Sequence, residues 1–108
     1  MARHHAASLA ALPDMAGRRV EVSGHCLAVF RCGDEVFALG DRCSHAEASL
    51  AEGLVSAGTV ECPRHGAVFD LRSGAALAMP ATRPVPAYRV EVEGGEVFVH
   101  LPAQGEAS

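Results

Sequence analysis

The clearest pattern in the chain is an alternation of apolar and polar residues near its C-terminal end. It runs through residues 88–93 and again through residues 97–101, with Gly94-Gly95 between the two stretches. Glycine readily adopts the positive φ angles that a two-residue turn needs, so the pattern predicts a β-hairpin. The predicted apolar face of this hairpin consists of Tyr88, Val90, Val92, Val97 and Val99.

Shorter apolar runs, separated by turn residues, fill the rest of the chain. Residues 26–31 and 36–39 flank Gly33-Asp34, which predicts a second hairpin, and Ser73-Gly74 marks a further turn. Additional short strands are predicted at residues 19–22, 59–61 and 67–71. Such a series of strands is typical of an all-β domain that forms a small antiparallel barrel or sandwich.

Patterns of other kinds are scarce. Residues 46–54 are expected to form one or two helical turns at most, and the three prolines within residues 75–86 predict an irregular loop. Residues 1–13 hold a short apolar run followed by Pro13-Asp14, with no clear cleavage site. We expect a frayed terminus there and no signal peptide.

Composition narrows the class of protein. The chain has 108 residues, of which 49% are hydrophobic and 5% aromatic, which suits one domain with a modest core of Val, Leu, Ala and Phe. The net charge of −4 excludes the basic surface of a nucleic-acid-binding protein. No stretch approaches the roughly 20 apolar residues of a membrane helix. We therefore expect a soluble protein that binds neither nucleic acid nor membranes.

Two cysteines and two histidines occur in a pattern that suits a metal site. Cys43-Ser44-His45 is followed, after 16 further residues, by Cys62-Pro63-Arg64-His65-Gly66. Each segment places a thiolate and an imidazole close together, and both groups bind zinc or iron. The candidate metal ligands are therefore Cys43, His45, Cys62 and His65.

Two kinds of centre use these ligand types. One is a tetrahedral zinc site, and the other is a [2Fe–2S] cluster with two cysteines on one iron and two histidines on the other. Common zinc modules pair cysteine with cysteine and histidine with histidine. Here each segment supplies one of each, which favours two bridged irons because each loop can then bind both metals. A zinc-stabilised interaction domain is the alternative.

From about residue 12 to residue 102 the chain resembles the Rieske family. The features that match, in the family's order, are Val20-Glu21-Val22-Ser23-Gly24, Gly33-Asp34, Ala38-Leu39, the two ligand segments, Phe69-Asp70, Ser73-Gly74 and the C-terminal hairpin. The resemblance implies one Rieske-type [2Fe–2S] cluster bound by Cys43, His45, Cys62 and His65. It also implies a third loop, at about residues 78–80, that shields the cluster.

The resemblance further implies the Rieske iron–sulfur fold over a single domain of residues 1–108. In that fold an antiparallel β base subdomain, approximately residues 10–41 and 82–102 here, carries an inserted small β subdomain. The inserted part, approximately residues 42–81, binds the cluster.

Residues beside the ligands bear on the reduction potential. Family members of cytochrome bc complexes have an extra cysteine in each ligand loop, at positions that match about Ala48 and Arg64 here, and these form a disulfide. They also have a serine and a tyrosine, matching Ala67 and Phe69, whose hydroxyls donate hydrogen bonds to sulfur. A hydroxyl donor stabilises the reduced cluster, so the resemblance implies a potential near the low end of the Rieske range of roughly −150 to +300 mV.

The resemblance implies a cytoplasmic electron carrier and not an enzyme. Low-potential members accept electrons from an NAD(P)H-dependent flavoprotein reductase and pass them to a terminal Rieske non-heme iron oxygenase, typically an aromatic-ring dioxygenase. Nothing after His65 supplies the two histidines and the carboxylate of an oxygenase's mononuclear iron. The implied docking surface is the tip formed by His45 and His65, with a rim expected at Ala46, Glu47, Leu50, Arg64 and Pro80.

A second functional alternative is the small Rieske-like subunit of an NADH-dependent nitrite reductase, although many such subunits lack the four ligands. The remaining cysteines, Cys26 and Cys32, lie in or beside an apolar strand. We expect them to be buried thiols without a metal or disulfide role. His25 and His100, near turns, are expected to face solvent.

Overall fold

The computed structural model describes residues 2–41, 49–63, 66–78 and 83–101. These ranges contain eleven β-strands and two short 3₁₀ helices, Leu9–Ala11 and Leu50–Glu52, so the predicted all-β class is confirmed. The strands are β1 Ala2–Ser8, β2 Ala16–Val22, β3 His25–Cys32, β4 Glu35–Gly40, β5 Leu54–Ser56, β6 Thr59–Glu61, β7 Val68–Asp70, β8 Ala76–Ala78, β9 Ala87–Tyr88, β10 Val90–Glu93 and β11 Glu96–Leu101. In this part of the chain no helix is long and apolar enough to cross a membrane.

The strands form three antiparallel sheets. The terminal sheet has the order β1-β11-β10, the central sheet β2-β3-β4-β9, and the small sheet β5-β6-β7-β8. The chain leaves the central sheet for the terminal sheet at Arg89, because Tyr88 pairs with Ala38 whereas Val90 pairs with Val99. The single strand predicted over residues 88–93 is therefore two strands, and Val92, predicted to be apolar-facing, is exposed.

Strand β3 of the central sheet is covered on both faces, and this explains its sequence. Leu27 and Val29 pack in a hydrophobic cluster with residues of the terminal sheet, and Ala28 and Phe30 pack in a second cluster with residues of the small sheet. A strand covered on both faces has no polar side, so its sequence is a continuous apolar run. Cys26, predicted to be buried, instead lies exposed near the start of β3.

The prediction of a frayed N-terminus was wrong. Strand β1 pairs with β11 from Ala2 opposite Leu101 to Ser8 opposite Glu96. Arg3 donates hydrogen bonds to Glu91 and Glu93 at 3.2 and 3.1 Å. The sequence of β1 has no β-branched residue, so local propensity did not indicate a strand, and pairing along β11 determines its conformation instead.

His100 was also predicted wrongly. Its side chain is only 19% exposed, and its Nε2 lies 2.7 Å from Oε1 of Glu91. Hydrogen bonds from His100 and Arg3 hold the pKa of Glu91 below its usual value. These contacts connect β10, β11 and β1 across the outer face of the terminal sheet.

The segment predicted as an irregular loop, residues 75–86, contains strand β8. Its base is closed by backbone hydrogen bonds, from Gly74 N to Asp70 O and from Val85 N to Gly74 O, at 2.8 and 2.9 Å. One or two helical turns were expected in residues 46–54. In the described part of that segment, residues 49–54, the structure has the short 3₁₀ helix Leu50–Glu52.

Replacing Gly74 with alanine should destabilise the fold by about 3 kcal/mol. Gly74 has a φ of +77°, and an added Cβ would overlap the carbonyl oxygen of Val85. Gly58 is the matched control, because its φ is +83° and an added Cβ would meet nothing within 4 Å. Gly58→Ala should cost only about 1 kcal/mol. Equal losses for both variants in chemical unfolding would contradict a steric role for the Gly74–Val85 contact.

Candidate metal centre

Cys62 is the one predicted ligand that lies in a described part of the chain. It directly follows β6, is 1% exposed and belongs to the hydrophobic cluster between the central and small sheets. Its backbone N donates to Ala67 O at 2.7 Å, and its carbonyl accepts from Gly66 N at 3.1 Å. Gly66 has a φ of +75°, which glycine adopts without strain. The second ligand segment therefore begins and ends on a closed turn.

The predicted ligands Cys43, His45 and His65 lie outside the described residues, as do Ala46, Glu47, Ala48, Arg64 and Pro80. The bases of their loops are described. The first loop is closed by a hydrogen bond from Leu50 N to Asp41 O at 2.7 Å. The second is closed at Cys62 and Ala67, and the third at Gly74 and Val85.

The bases of all three loops contact one hydrophobic cluster. Leu50, Cys62, Ala67 and Val85 all belong to the cluster between the central and small sheets. Leu50 is fully buried there, so its predicted place in an exposed docking rim was wrong. It is an apolar residue whose side chain anchors the end of the first loop in the core.

Asp41 is a residue of this region that the sequence analysis missed. Its side chain is almost completely buried and accepts hydrogen bonds from Ser49 Oγ and from Ala51 N. The only signal in the sequence is an acidic residue that directly follows the apolar strand β4, two positions before Cys43.

Two side chains of the central sheet lie beside Asp41. Arg19 Nε donates to Cys26 Sγ at 2.9 Å and lies 3.6 Å from Asp41 Oδ2. The contact with Cys26, followed by the charge of Asp41, holds the pKa of Arg19 above its usual value. Arg19 is therefore positively charged at every physiological pH and partly compensates the buried carboxylate.

The residues present fit a cluster with mixed sulfur and nitrogen ligands. Two thiolates and two imidazoles are the donors of a Rieske-type centre. Cys62 is buried in an apolar environment, and its loop is held by two backbone hydrogen bonds. Across the described ranges, no three His, Cys, Asp or Glu side chains come close enough to hold another metal ion.

Comparison with known proteins identifies the family. The model of the Rieske [2Fe–2S] domain matches residues 3–89. The chain is 46% identical to the 3-phenylpropionate/cinnamic acid dioxygenase ferredoxin subunit of Escherichia coli (strain K12), over 94% of this chain and 96% of that protein.

Solved structures give the same result. The ferredoxin of carbazole 1,9a-dioxygenase from Nocardioides aromaticivorans IC177 superposes with a TM-score of 0.87 at 40% identity, over 92% of this chain and 97% of that one. A ferredoxin-sized chain in a complex of reduced oxygenase and oxidized ferredoxin in carbazole 1,9a-dioxygenase has a TM-score of 0.83 at 37% identity, over 90% and 91% of the two chains. A putative nitrite reductase small subunit is 23% identical, which shows the shared fold alone.

These matches cover nearly the whole length of the ferredoxins, so they exclude the zinc-stabilised interaction domain as the identity of the chain. The chain belongs to the Rieske [2Fe–2S] family, in which it is an electron carrier of the ferredoxin type that holds one [2Fe–2S] cluster.

Proposed function

We propose that this protein carries single electrons from an NAD(P)H-dependent flavoprotein reductase to a terminal Rieske non-heme iron oxygenase that acts on an aromatic compound. The observation that carries the proposal is the 46% identity, over almost the full length of both chains, to the ferredoxin subunit of an aromatic-acid dioxygenase. The likeness to a ferredoxin solved in complex with its oxygenase supports an oxygenase as the recipient.

The four ligands in this proposal are Cys43, His45, Cys62 and His65, as their spacing in the sequence favours. When bound, the cluster supplies reversible one-electron redox chemistry. Cys62 would hold the iron–sulfur cluster through its thiolate, and the buried side chains of Phe69 and Leu71, which lie in the same hydrophobic cluster as Cys62, would exclude water from that sulfur. The hydrogen bonds of Cys62 with Gly66 and Ala67 close the base of the segment in which His65 lies in the sequence. We place the docking surface at the tip formed by His45 and His65.

The potential should be low, because the buried residues beside the second loop carry no hydroxyl. Ala67 and Phe69 are both completely buried, and neither can donate a hydrogen bond from its side chain. Fewer donors favour the oxidised form of an iron–sulfur cluster. A low potential suits a carrier between a flavin and an oxygenase.

The proposed role as an electron carrier also includes a cellular compartment. We place the protein in the cytoplasm, since the thiols of Cys26 and Cys32 are free and a reducing compartment preserves such thiols.

We also divide the domain into a base, approximately residues 10–41 and 82–102, and a cluster-binding subdomain, approximately residues 42–81. The small sheet, which consists of β5 to β8 alone, supports this division, and the pairing of β1 adds residues 2–8 to the base.

Reconstitution tests the proposed function. The purified, cluster-loaded protein replaces the ferredoxin in a three-component system that contains a flavoprotein reductase and the oxygenase of either dioxygenase named above. We expect NADH oxidation that depends on the aromatic substrate, the oxygenase and this protein together. The matched control is the same protein after removal of its cluster. Reduction by the reductase without any product from several oxygenases would contradict the proposed recipient and would favour an integral subunit of another reductase.

A further inference from the structure

The buried carboxylate of Asp41 connects both ends of the first ligand loop. Its Oδ1 and Oδ2 lie 2.8 and 2.9 Å from Ser49 Oγ, which donates to them. Oδ1 also accepts from Ala51 N at 3.0 Å, and the backbone oxygen of Asp41 accepts from Leu50 N at 2.7 Å. One residue before the loop therefore bonds to three consecutive residues after it.

The surroundings of Asp41 make it a specific feature of this site. The residue is only 5% exposed, and burial of a carboxylate is unfavourable unless hydrogen bonds and an opposite charge compensate it. Here the compensation comes from Ser49, from the N–H of Ala51 and from Arg19 at 3.6 Å. Cys26 Sγ lies farther away, at 3.9 Å from Oδ2, and does not bond to the loop. We call Asp41, Arg19, Ser49 and Ala51 the Asp41 network.

The place of the network in the chain gives it a consequence for the cluster. Asp41 precedes Cys43 by two residues, and Ser49 follows His45 by four. One backbone hydrogen bond fixes the distance between two chain segments but leaves their relative orientation free. The side-chain bonds from Ser49 and Ala51 to Asp41 add contacts in other directions, so they also fix the orientation of residues 49–51 relative to residue 41.

We propose that Asp41 is a positioning residue for the cluster: its carboxylate fixes the two ends of the first ligand loop, residue 41 and residues 49–51, to each other, and Cys43 and His45 lie between these ends in the sequence. The inference rests on the ligand assignment of the proposed function. It concerns how the loop is shaped and not which partners exchange electrons. Outer residues that orient metal ligands commonly affect metal retention by roughly 10- to 100-fold.

Four variants of the full-length, cluster-loaded protein test the role. Asp41→Ala removes all side-chain bonds, and Ser49→Ala removes only those from the hydroxyl. Asp41→Asn keeps the shape, since the amide oxygen can accept from Ala51 N and the amide NH₂ can donate to Ser49 Oγ. Asp14→Ala is the matched control, because Asp14 Oδ1 accepts from Gly33 N at 2.7 Å at the β3–β4 turn, at the opposite end of β4 from Asp41.

Two measurements on each variant separate positioning from general stability. The first is the rate of loss of the visible absorption in the presence of an iron chelator, and the second is the EPR spectrum after reduction with dithionite. Thermal unfolding provides the stability of each variant. The readouts need neither a reductase nor an oxygenase, so a failed shuttle assay leaves their outcome unaffected.

We expect Asp41→Ala to lose its cluster about tenfold faster and to give an altered EPR spectrum, with a smaller change for Ser49→Ala. Asp41→Asn should restore the spectrum and most of the retention, while Asp14→Ala should lose stability with unchanged spectrum and retention. If Asp41→Ala does not fold, the comparison of Ser49→Ala with Asp14→Ala decides the question. Wild-type retention and spectra in Asp41→Ala and Ser49→Ala would overturn the proposal, as would cluster loss that follows thermal stability equally in Asp41→Ala and Asp14→Ala.

Discussion

Cys62→Ser should leave the protein without its [2Fe–2S] cluster, whereas Cys26→Ser and Cys32→Ser should keep the cluster at wild-type occupancy. Cys62 lies at the base of a closed loop and is 1% exposed. It belongs to the hydrophobic cluster that the bases of all three loops contact. The serine hydroxyl is a poor substitute, because only a thiolate is deprotonated readily enough and soft enough for iron in this setting.

The two control cysteines differ from Cys62 in physical terms. Cys26 is exposed and accepts a hydrogen bond from Arg19, which a serine oxygen can also accept. Burial, followed by the charges of Asp14 and Glu35, raises the pKa of the Cys32 thiol and disfavours the thiolate that a metal needs. Iron and acid-labile sulfide content, with the visible spectrum, measure the outcome. A red-brown, fully loaded Cys62→Ser protein would show that the ligand set has been assigned wrongly.

The double variant Ala67→Ser with Phe69→Tyr should raise the reduction potential by on the order of 100 mV. Each new hydroxyl can donate to a sulfur that becomes more negative on reduction, and hydrogen bonds to charged groups contribute about 1.5–3 kcal/mol. For a one-electron couple, a tenfold change in the equilibrium constant corresponds to 59 mV. Two hydrogen bonds that each contribute part of this energy therefore raise the potential by on the order of 100 mV. The backbone of Ala67 is hydrogen-bonded to Cys62, which brings position 67 next to a ligand.

Protein-film voltammetry measures this potential directly. A matched control adds the same two hydroxyls elsewhere, with Ala38→Ser in the other hydrophobic cluster and Phe98→Tyr on the terminal sheet. The control should keep the wild-type potential, because neither position borders a ligand loop. An unchanged potential in the Ala67→Ser and Phe69→Tyr protein would contradict the argument that missing donors make this a low-potential centre.

Local sequence was sufficient for much of the fold. The glycine turns and apolar runs predicted β2, β3, β4, β6, β7 and β11 to within a few residues, because short-range hydrophobic patterning determines these strands. Strand β1 could not be predicted, since its polar and alanine-rich residues become a strand only by pairing with β11 at the far end of the chain. The division of residues 88–93 between two sheets depends in the same way on distant partners.

The sequence predicted the ligands of the candidate site but not the residues that support them. The two cysteine–histidine segments carry their chemistry in their spacing, so Cys62 could be singled out from sequence alone. The burial of Leu50 and the network around Asp41 could not, because both depend on how the end of the first loop packs against β2 and β3. A lone acidic residue or leucine in a loop has the same appearance in sequence whether it is buried or exposed.

The connectivity of the three sheets also has a consequence for the order in which the protein assembles during synthesis. The small sheet consists of consecutive strands within residues 54–78, so its contacts are local and can form as soon as that stretch leaves the ribosome. The terminal sheet pairs Ala2 with Leu101 and must wait for the last strand. The second ligand loop can therefore be closed at Cys62 and Ala67 before the terminal sheet covers the opposite face of the central sheet.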